Sequence, residues 1–313
     1  MEKRLLGKKW VSRLCFGSLG LGPLHNNLSV KEGAALLREA FERGVNFVDT
    51  AELYGTYPHI REALRGYHGE VIIATKSYAS GYEEMAQSVE RARQELDRDV
   101  IEIFLLHEQE SSHTLRGHAP AIEYLMEAKE RGLVGAIGIS THTVAGVRGA
   151  ATHPQMEIIS PLINLSGVGI VDGSREDMLS AMEFAASMGK GLYGMKPLGG
   201  GHLSGKVELA LEFVLSIPTL ASVALGMKSR AELMMNLSVF TGKPVPEEIR
   251  QAVASVDRQL HIDDWCTGCG SCVEACPSKA LRVVDGRCQV DRAKCVLCGY
   301  CGAACPDFAL KIV

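Results

Sequence analysis

The spacing of apolar residues divides the chain into two stretches. From about residue 10 to 241, short apolar runs alternate with longer segments of mixed polarity. The runs are Val45–Val48, Val71–Ala74, Ile101–Leu106, Val134–Ile139, Met156–Ser160, Gly191–Met195 and Ala221–Leu225. They are apolar almost throughout; in Ile101–Leu106 only Glu102 is polar. A strand covered on both faces reads this way, so these runs predict buried parallel strands. Arg13–Gly17 reads as a first strand and brings the count to eight.

The intervening segments carry helix signals. Ser29-Val-Lys-Glu32, Ser80-Gly-Tyr-Glu83 and Ser229-Arg-Ala-Glu232 have the spacing of capping boxes. Gly44, Gly132 and Gly189 stand where a helix C-cap glycine belongs. Eight strands, each followed by a helical segment, predict a (β/α)8 barrel over residues 1–241. A doubly wound open sheet is the alternative, but no GxGxxG follows the first strand. Gly242-Lys-Pro-Val-Pro246 breaks the alternation. Residues 242–262 read as a connector, with Glu247–Leu260 as one more helix, and residues 263–313 as a small separate domain.

Composition adds limits. The 313 residues suffice for one large domain and one small one, and 46% apolar with 22% charged residues is a soluble globular profile. The apolar runs are too short to cross a bilayer. The N-terminal Met-Glu-Lys-Arg-Leu-Leu-Gly-Lys-Lys lacks the apolar core of a signal peptide, which predicts a cytoplasmic protein. A net charge of −4 argues against general affinity for nucleic acid or anionic membranes.

Nine of the ten cysteines lie between Cys266 and Cys305. In a chain without a leader, that clustering points to metal ligands rather than disulfides. Two runs, Cys266-x2-Cys269-x2-Cys272-x3-Cys276-Pro277 and Cys295-x2-Cys298-x2-Cys301-x3-Cys305-Pro306, repeat with an offset of 29 residues. Three thiolates at two-residue gaps wrap one corner of an iron–sulfur cube, and the fourth, before proline, serves the other cluster. This predicts two [4Fe–4S] clusters in a crossed arrangement. One takes Cys266, Cys269, Cys272 and Cys305; the other takes Cys295, Cys298, Cys301 and Cys276. A pair of zinc sites is the alternative, but zinc knuckles usually pair at longer separation. Gly268, Gly270 and Gly299 leave backbone amides free to approach the sulfides. Cys288 and Cys15 read as packed residues. Over its whole length the segment resembles a bacterial-type two-cluster ferredoxin.

Four polar residues stand at or just beyond strand ends, where barrel chemistry is sited: Asp49, Tyr54, Lys76 and His107. Each has an ordinary reading alone, as a helix cap, a solvated strand end or a satisfied histidine. Together they suggest a relay. A phenol, with an unperturbed pKa of about 10, donates a proton more readily beside an ammonium, which a carboxylate can hold in place.

On these four residues, residues 1–241 resemble an aldo/keto reductase. The likeness extends to Arg4–Gly17, to Lys196-Pro-Leu-Gly-Gly-Gly201 and to the segment from Gly226-Met-Lys-Ser to Asn236. The resemblance implies an NAD(P)-dependent enzyme acting on a small carbonyl or alcohol. Tyr54 would be the general acid, Lys76 and Asp49 its tuners, and His107 the residue orienting substrate. It also implies cofactor contacts from Ser140, Asn164, Lys196, Pro197, Leu198, Gly199 and Gly201. Gly226, Lys228, Ser229, Arg230 and Asn236 would hold the adenosine end, with Lys228, Ser229 and Arg230 meeting a 2′-phosphate and favouring NADP. The sequence departs from the family pattern at Thr141, Ser160, Met195 and Glu232, all near the expected nicotinamide and phosphate contacts. The family's long C-terminal substrate loop is replaced by the ferredoxin-like module, in position to wall the pocket. The whole chain is similar to aldo/keto reductases carrying such a module.

Three roles for the clusters stay open: exchange with a redox partner protein, a fold staple, or an electron-transfer protein whose barrel serves docking or sensing. A hydride carries two electrons and a cubane normally one, and no flavin motif stands out to join them.

Overall fold

The structure is a computed structural model describing residues 1–313. It opens with an antiparallel hairpin of β1 (Lys3–Leu6) and β2 (Lys9–Ser12). Eight parallel strands follow: β3 (Leu14–Gly17), β4 (Phe47–Asp49), β5 (Ile72–Ser77), β6 (Ile101–Leu106), β7 (Val134–Thr141), β8 (Ile158–Pro161), β9 (Gly191–Met195) and β10 (Leu220–Gly226). They close into a barrel in chain order, with β10 paired to both β9 and β3. Closure removes the doubly wound alternative, which would leave two free edges. The helices are α1 (Val30–Glu42), α2 (Tyr57–Leu64), α3 (Tyr82–Leu96), α4 (Ser112–Gly117), α5 (Ala119–Glu130), α6 (Val144–Thr152), α7 (Arg175–Ser187), α8 (Val207–Leu215) and α9 (Arg230–Phe240).

The capping signals are met in part. Ser29 and Glu32 form a reciprocal capping box. The box expected at Ser80–Glu83 sits one residue later. Helix α3 begins at Tyr82, and the Glu84 carboxylate accepts from the Ser80 and Gly81 amides instead. At Ser229 only half a box forms, because Glu232 accepts from Lys228 N and pairs with Arg258. Gly44, Gly132 and Gly189 all have the positive φ of a helix end.

The hairpin β1–β2 was not foreseen. Leu6 and Val11 are buried with the inward residues Cys15, Phe47, Ile72, Ile103 and Tyr193. Asn46, just before β4, accepts from Ser12 N through its side chain. The hairpin therefore plugs the N-terminal end of the barrel and leaves the C-terminal end for chemistry.

After the barrel comes α10 (Glu247–Ala254), shorter than the helix expected to Leu260. Leu260–Ile262 forms β11 instead and pairs with β14 (Leu310–Ile312). The small domain thus starts three residues earlier than the cysteines indicated, because its last strand recruits a partner from the connector. Between them lie α11 (Ser271–Glu274), β12 (Leu281–Val284), β13 (Arg287–Val290) and α12 (Tyr300–Ala303), with β12 and β13 paired.

The module docks on the loop after β9. Ile312 N donates to Gly200 O at 2.8 Å, and His202 Nε2 lies 2.8 Å from Leu310 O. His202 fits against Gly299 and Gly302, and a Cβ on Gly302 would overlap its ring. A Cβ on Gly201 would overlap the Ile312 carbonyl, and Gly201 has φ +87°. No helix is long and apolar enough to cross a membrane.

Candidate active site and cluster cradles

The strand ends bring the four expected residues together. Lys76, 1% exposed, donates from Nζ to Asp49 Oδ1 at 2.7 Å and to Thr50 O at 2.8 Å. The second Asp49 oxygen accepts from the Tyr193 hydroxyl at 2.8 Å. Tyr54 sits on a tight turn after β4 that ends at Gly55, φ +65°. Its ring lies 5.1 Å from Lys76 Nζ and 5.8 Å from the His107 ring. Burial, then the Asp49 and Glu108 carboxylates, push the Tyr54 phenol well above its ordinary value. The geometry thus holds Tyr54 protonated, whereas the relay had been expected to lower its pKa. The Lys76 charge is taken up by Asp49. Burial, with help from Lys76, lowers His107 to about 3, so this imidazole is neutral. Its Nδ1 has no hydrogen-bond partner.

A second group at the same site escaped the sequence reading. Tyr78 stacks on His107 with centroids 4.3 Å apart and donates to Glu108 Oε2 at 2.5 Å. His142 Nε2 lies 3.6 Å from Glu108 Oε1 and 2.7 Å from Lys196 Nζ. Lys196 Nζ also lies 5.1 Å from the centroid of Phe308, a residue of the small domain. Lys311 pairs with Asp263, both buried. Glu108, His142 and Phe308 stand in loops with no periodic signal, and only the docked domain brings Phe308 and Lys311 there.

A cleft with about 220 Å³ of free volume runs from Asp49 and Tyr54 past Met195 to Lys228, Asn236 and Arg258. Of the expected cofactor residues, Lys196, Pro197, Leu198, Gly201, Gly226, Lys228 and Asn236 line it. Ser140, Asn164, Gly199, Ser229 and Arg230 do not. The Ser140 hydroxyl accepts from Glu108 N at 2.9 Å. Asn164 spends its amide on backbone, donating to Val168 O at 2.8 Å and Lys196 O at 3.4 Å and accepting from the Ser166 and Val168 amides. Ser229 caps α9, and Arg230 is held by Glu39 at 3.0 Å. Arg258, from the connector, supplies a cation that the sequence reading did not name. Lys311, Ile312 and Val313 close one side of the cleft.

In the small domain, a cavity is lined by Cys276, Cys295, Cys298 and Cys301, with Leu260 and Ile312. The Cys272 thiol is raised, first by burial and then by the nearby Cys305, Cys266 and Cys269. The Ala280 amide donates to Cys276 Sγ and the Ala309 amide to Cys305 Sγ, both at 3.3 Å, contacts that suit thiolate ligands. The donor chemistry therefore fits two iron–sulfur clusters. Cys288 packs with its sulfur 3.4 Å from Cys272, and Cys15 is fully buried in the barrel.

The Aldo/keto reductase family model matches residues 13–208, well over half the chain. The chain belongs to the aldo/keto reductase family. A 4Fe-4S dicluster domain matches residues 259–306, beginning at the connector residue next to β11. L-galactose dehydrogenase of Arabidopsis thaliana is 24% identical over 77% of this chain and 88% of its own length. Pyridoxine 4-dehydrogenase of Escherichia coli is 29% identical over 51% of this chain and 63% of its own. Among solved structures, a putative aldo-keto reductase of Pseudomonas aeruginosa superposes with TM-score 0.66 at 25% identity, covering 77% of this chain and 95% of its own. This aldo/keto reductase is therefore an oxidoreductase barrel with an appended dicluster domain.

Proposed function

We propose that the protein is an NAD(P)-dependent reductase of a small carbonyl compound, or the oxidase of its alcohol, with Tyr54 as general acid/base. The carrying observation is that Asp49 and Tyr54 line one end of a cleft that reaches basic residues at the other, with Lys76 bound to Asp49 and the His107 ring 5.8 Å from the Tyr54 ring behind them. A nicotinamide in that cleft would supply or accept the hydride. Tyr54, held protonated, donates to the developing alkoxide oxygen. His107, neutral with Nδ1 unpartnered, carries its proton on Nε2 and orients that oxygen. Lys76 holds charge beside the phenol; Asp49 and the Thr50 carbonyl hold Lys76, and the Tyr193 hydroxyl holds Asp49. Lys228 and Arg258 support NADP over NAD. Ser140 and Asn164 are engaged elsewhere, so the nicotinamide rests mainly on the Lys196–Gly201 loop.

The same reading assigns Cys266, Cys269, Cys272 and Cys305 to one [4Fe–4S] cluster and Cys276, Cys295, Cys298 and Cys301 to the other. It places the protein in the reducing cytoplasm. An electron-exchange role is favoured over a pure fold staple by one feature: Ile312 lines both the cofactor cleft and the Cys276–Cys301 cavity. A redox partner protein would meet the exposed face with Cys298, Val296 and Tyr300.

Anaerobically purified protein should bind NADPH more tightly than NADH by calorimetry. Tyr54→Phe should lower kcat on any active carbonyl substrate by about 10²–10⁴ while leaving that binding intact. Unchanged turnover in the variant would sink the reading. For the clusters, NADP⁺ should alter the electron paramagnetic resonance spectrum of one reduced cluster and spare the other. No change in either would return the clusters to a structural role.

A further inference from the structure

Lys196 ends β9 in a left-handed conformation, φ +56°, which strains a residue with a side chain. Strain of that kind persists where the surroundings over-determine a position. Three groups do so here. The loop that follows carries the module through Gly200. The Lys196 ammonium meets His142 Nε2 at 2.7 Å, and it faces the Phe308 ring at 5.1 Å. The side chain is half-buried and lines the same cleft as Asp49 and Tyr54.

Three lysines crowd this end of the barrel, and two are locked. Lys76 is bound to Asp49 and to Thr50 O. Lys311 is bound to Asp263 and to Phe308 O. Lys196 alone forms no ion pair. Its polar partner is an imidazole that burial keeps neutral. Burial, and the charges of Lys311 and Lys76, lower the Lys196 amine to about 7 against the pull of Glu108 and Asp263. A large share of the amine is therefore uncharged at neutral pH. Donating one N–H to His142 Nε2 leaves its lone pair free. A desolvated lysine beside another cation is a recognised form of activated nucleophile.

We propose that Lys196 is a second catalytic residue of this site, an amine that condenses with the carbonyl carbon of an aldehyde or ketone entering the cleft. The nitrogen lone pair forms the new C–N bond and gives a carbinolamine. The carbinolamine oxygen then leaves as water, carrying both former amine hydrogens, with His142 relaying the proton. The product is a lysine imine. No electrons change hands, no cofactor is consumed, and water reverses the step. The inference does not depend on nicotinamide binding. It adds to the proposed reductase a separate, reversible condensation of a carbonyl compound in the same cleft, distinct from the reduction because the imine no longer carries the carbonyl oxygen.

The test uses the full chain, purified anaerobically with its clusters. It is treated at pH 7 with propanal and sodium cyanoborohydride, which reduces imines to stable secondary amines. Peptide mass spectrometry then reads the propyl group on each lysine against time. Lys196 should be alkylated at least about tenfold faster than exposed lysines such as Lys31. Lys76 and Lys311 should stay unmodified. His142→Phe should slow the Lys196 reaction several-fold without changing the rate at Lys31. Labelling of Lys196 no faster than of Lys31, or faster labelling of Lys76, overturns the proposal. Tyr54→Phe separates the two readings: it removes reductase turnover if that reading holds, and leaves trapping at Lys196 in place.

Discussion

The barrel and the module it carries are stabilised in different ways. The barrel's main core joins 57 buried side chains, and a further 15 fill its interior and the plugged end. The module's core has only eight buried residues, and three of them are Cys272, Cys288 and Cys301. Burial of apolar area can fold the first. A core of eight is small for the module's length, the situation in which small domains rely on bound metal. One chain thus holds a domain with a large hydrophobic core and another whose own core is small. They meet at a small seam on the loop after β9.

That contrast can be broken or sharpened by experiment. The largest effect should come from stripping iron with a chelator under reducing conditions. The module should unfold completely, exposing residues 260–313 to proteolysis, while the barrel keeps its circular dichroism and its melting transition. Concerted loss of both parts would mean that the barrel leans on the module. Next, Leu105→Ala, which empties a fully buried position inside the barrel, should cost about 2–5 kcal/mol of barrel stability by denaturant titration. The cluster absorption should be unchanged.

Gly201→Ala should loosen the seam. It places a Cβ against the Ile312 carbonyl and at a left-handed φ, a penalty of about 1–3 kcal/mol. Hydrogen exchange at Ile312 should rise while exchange in β4–β6 stays slow. The smallest effect is electrostatic. Folding lowers His107 to about 3. Below the unfolded value of about 6.5 the unfolded chain therefore binds a proton that the folded chain refuses. Stability should fall as pH drops from about 6.5 towards 3, and His107→Asn should flatten that slope. Resonances of the His107 ring should show no titration between pH 5 and 8; a midpoint in that range would contradict the burial argument.

Much of this molecule was legible from local pattern. Strands covered on both faces are apolar throughout, so seven runs and Arg13–Gly17 marked the barrel to within a few residues. Residues at consecutive strand ends share one barrel mouth, so Asp49, Tyr54, Lys76 and His107 could be grouped before any coordinates. Other features left no local mark. The plugging hairpin has strands of four residues with mixed polarity, too short for periodicity to register. The capping signal at Ser80 was real but displaced, because Glu84 rather than Glu83 had the reach. Arg230 looked like a phosphate ligand until Glu39, nearly two hundred positions away, was seen to hold it. Arg258 was hidden in a stretch that read as plain helix.

The sequence by itself determined the barrel, the meeting of Asp49, Tyr54, Lys76 and His107 at its mouth, and the two repeated cysteine runs, because each follows from spacing along a strand or a tight loop. Only the tertiary structure decided which charges meet. Docking of the small domain brings Phe308, Lys311 and Ile312 to the cleft, leaves Lys196 without a carboxylate partner, and makes one side chain the wall between cofactor cleft and cluster cavity. Electrostatic partners and shared walls depend on distance in space and on desolvation, and neither is written in the spacing of residues along the chain.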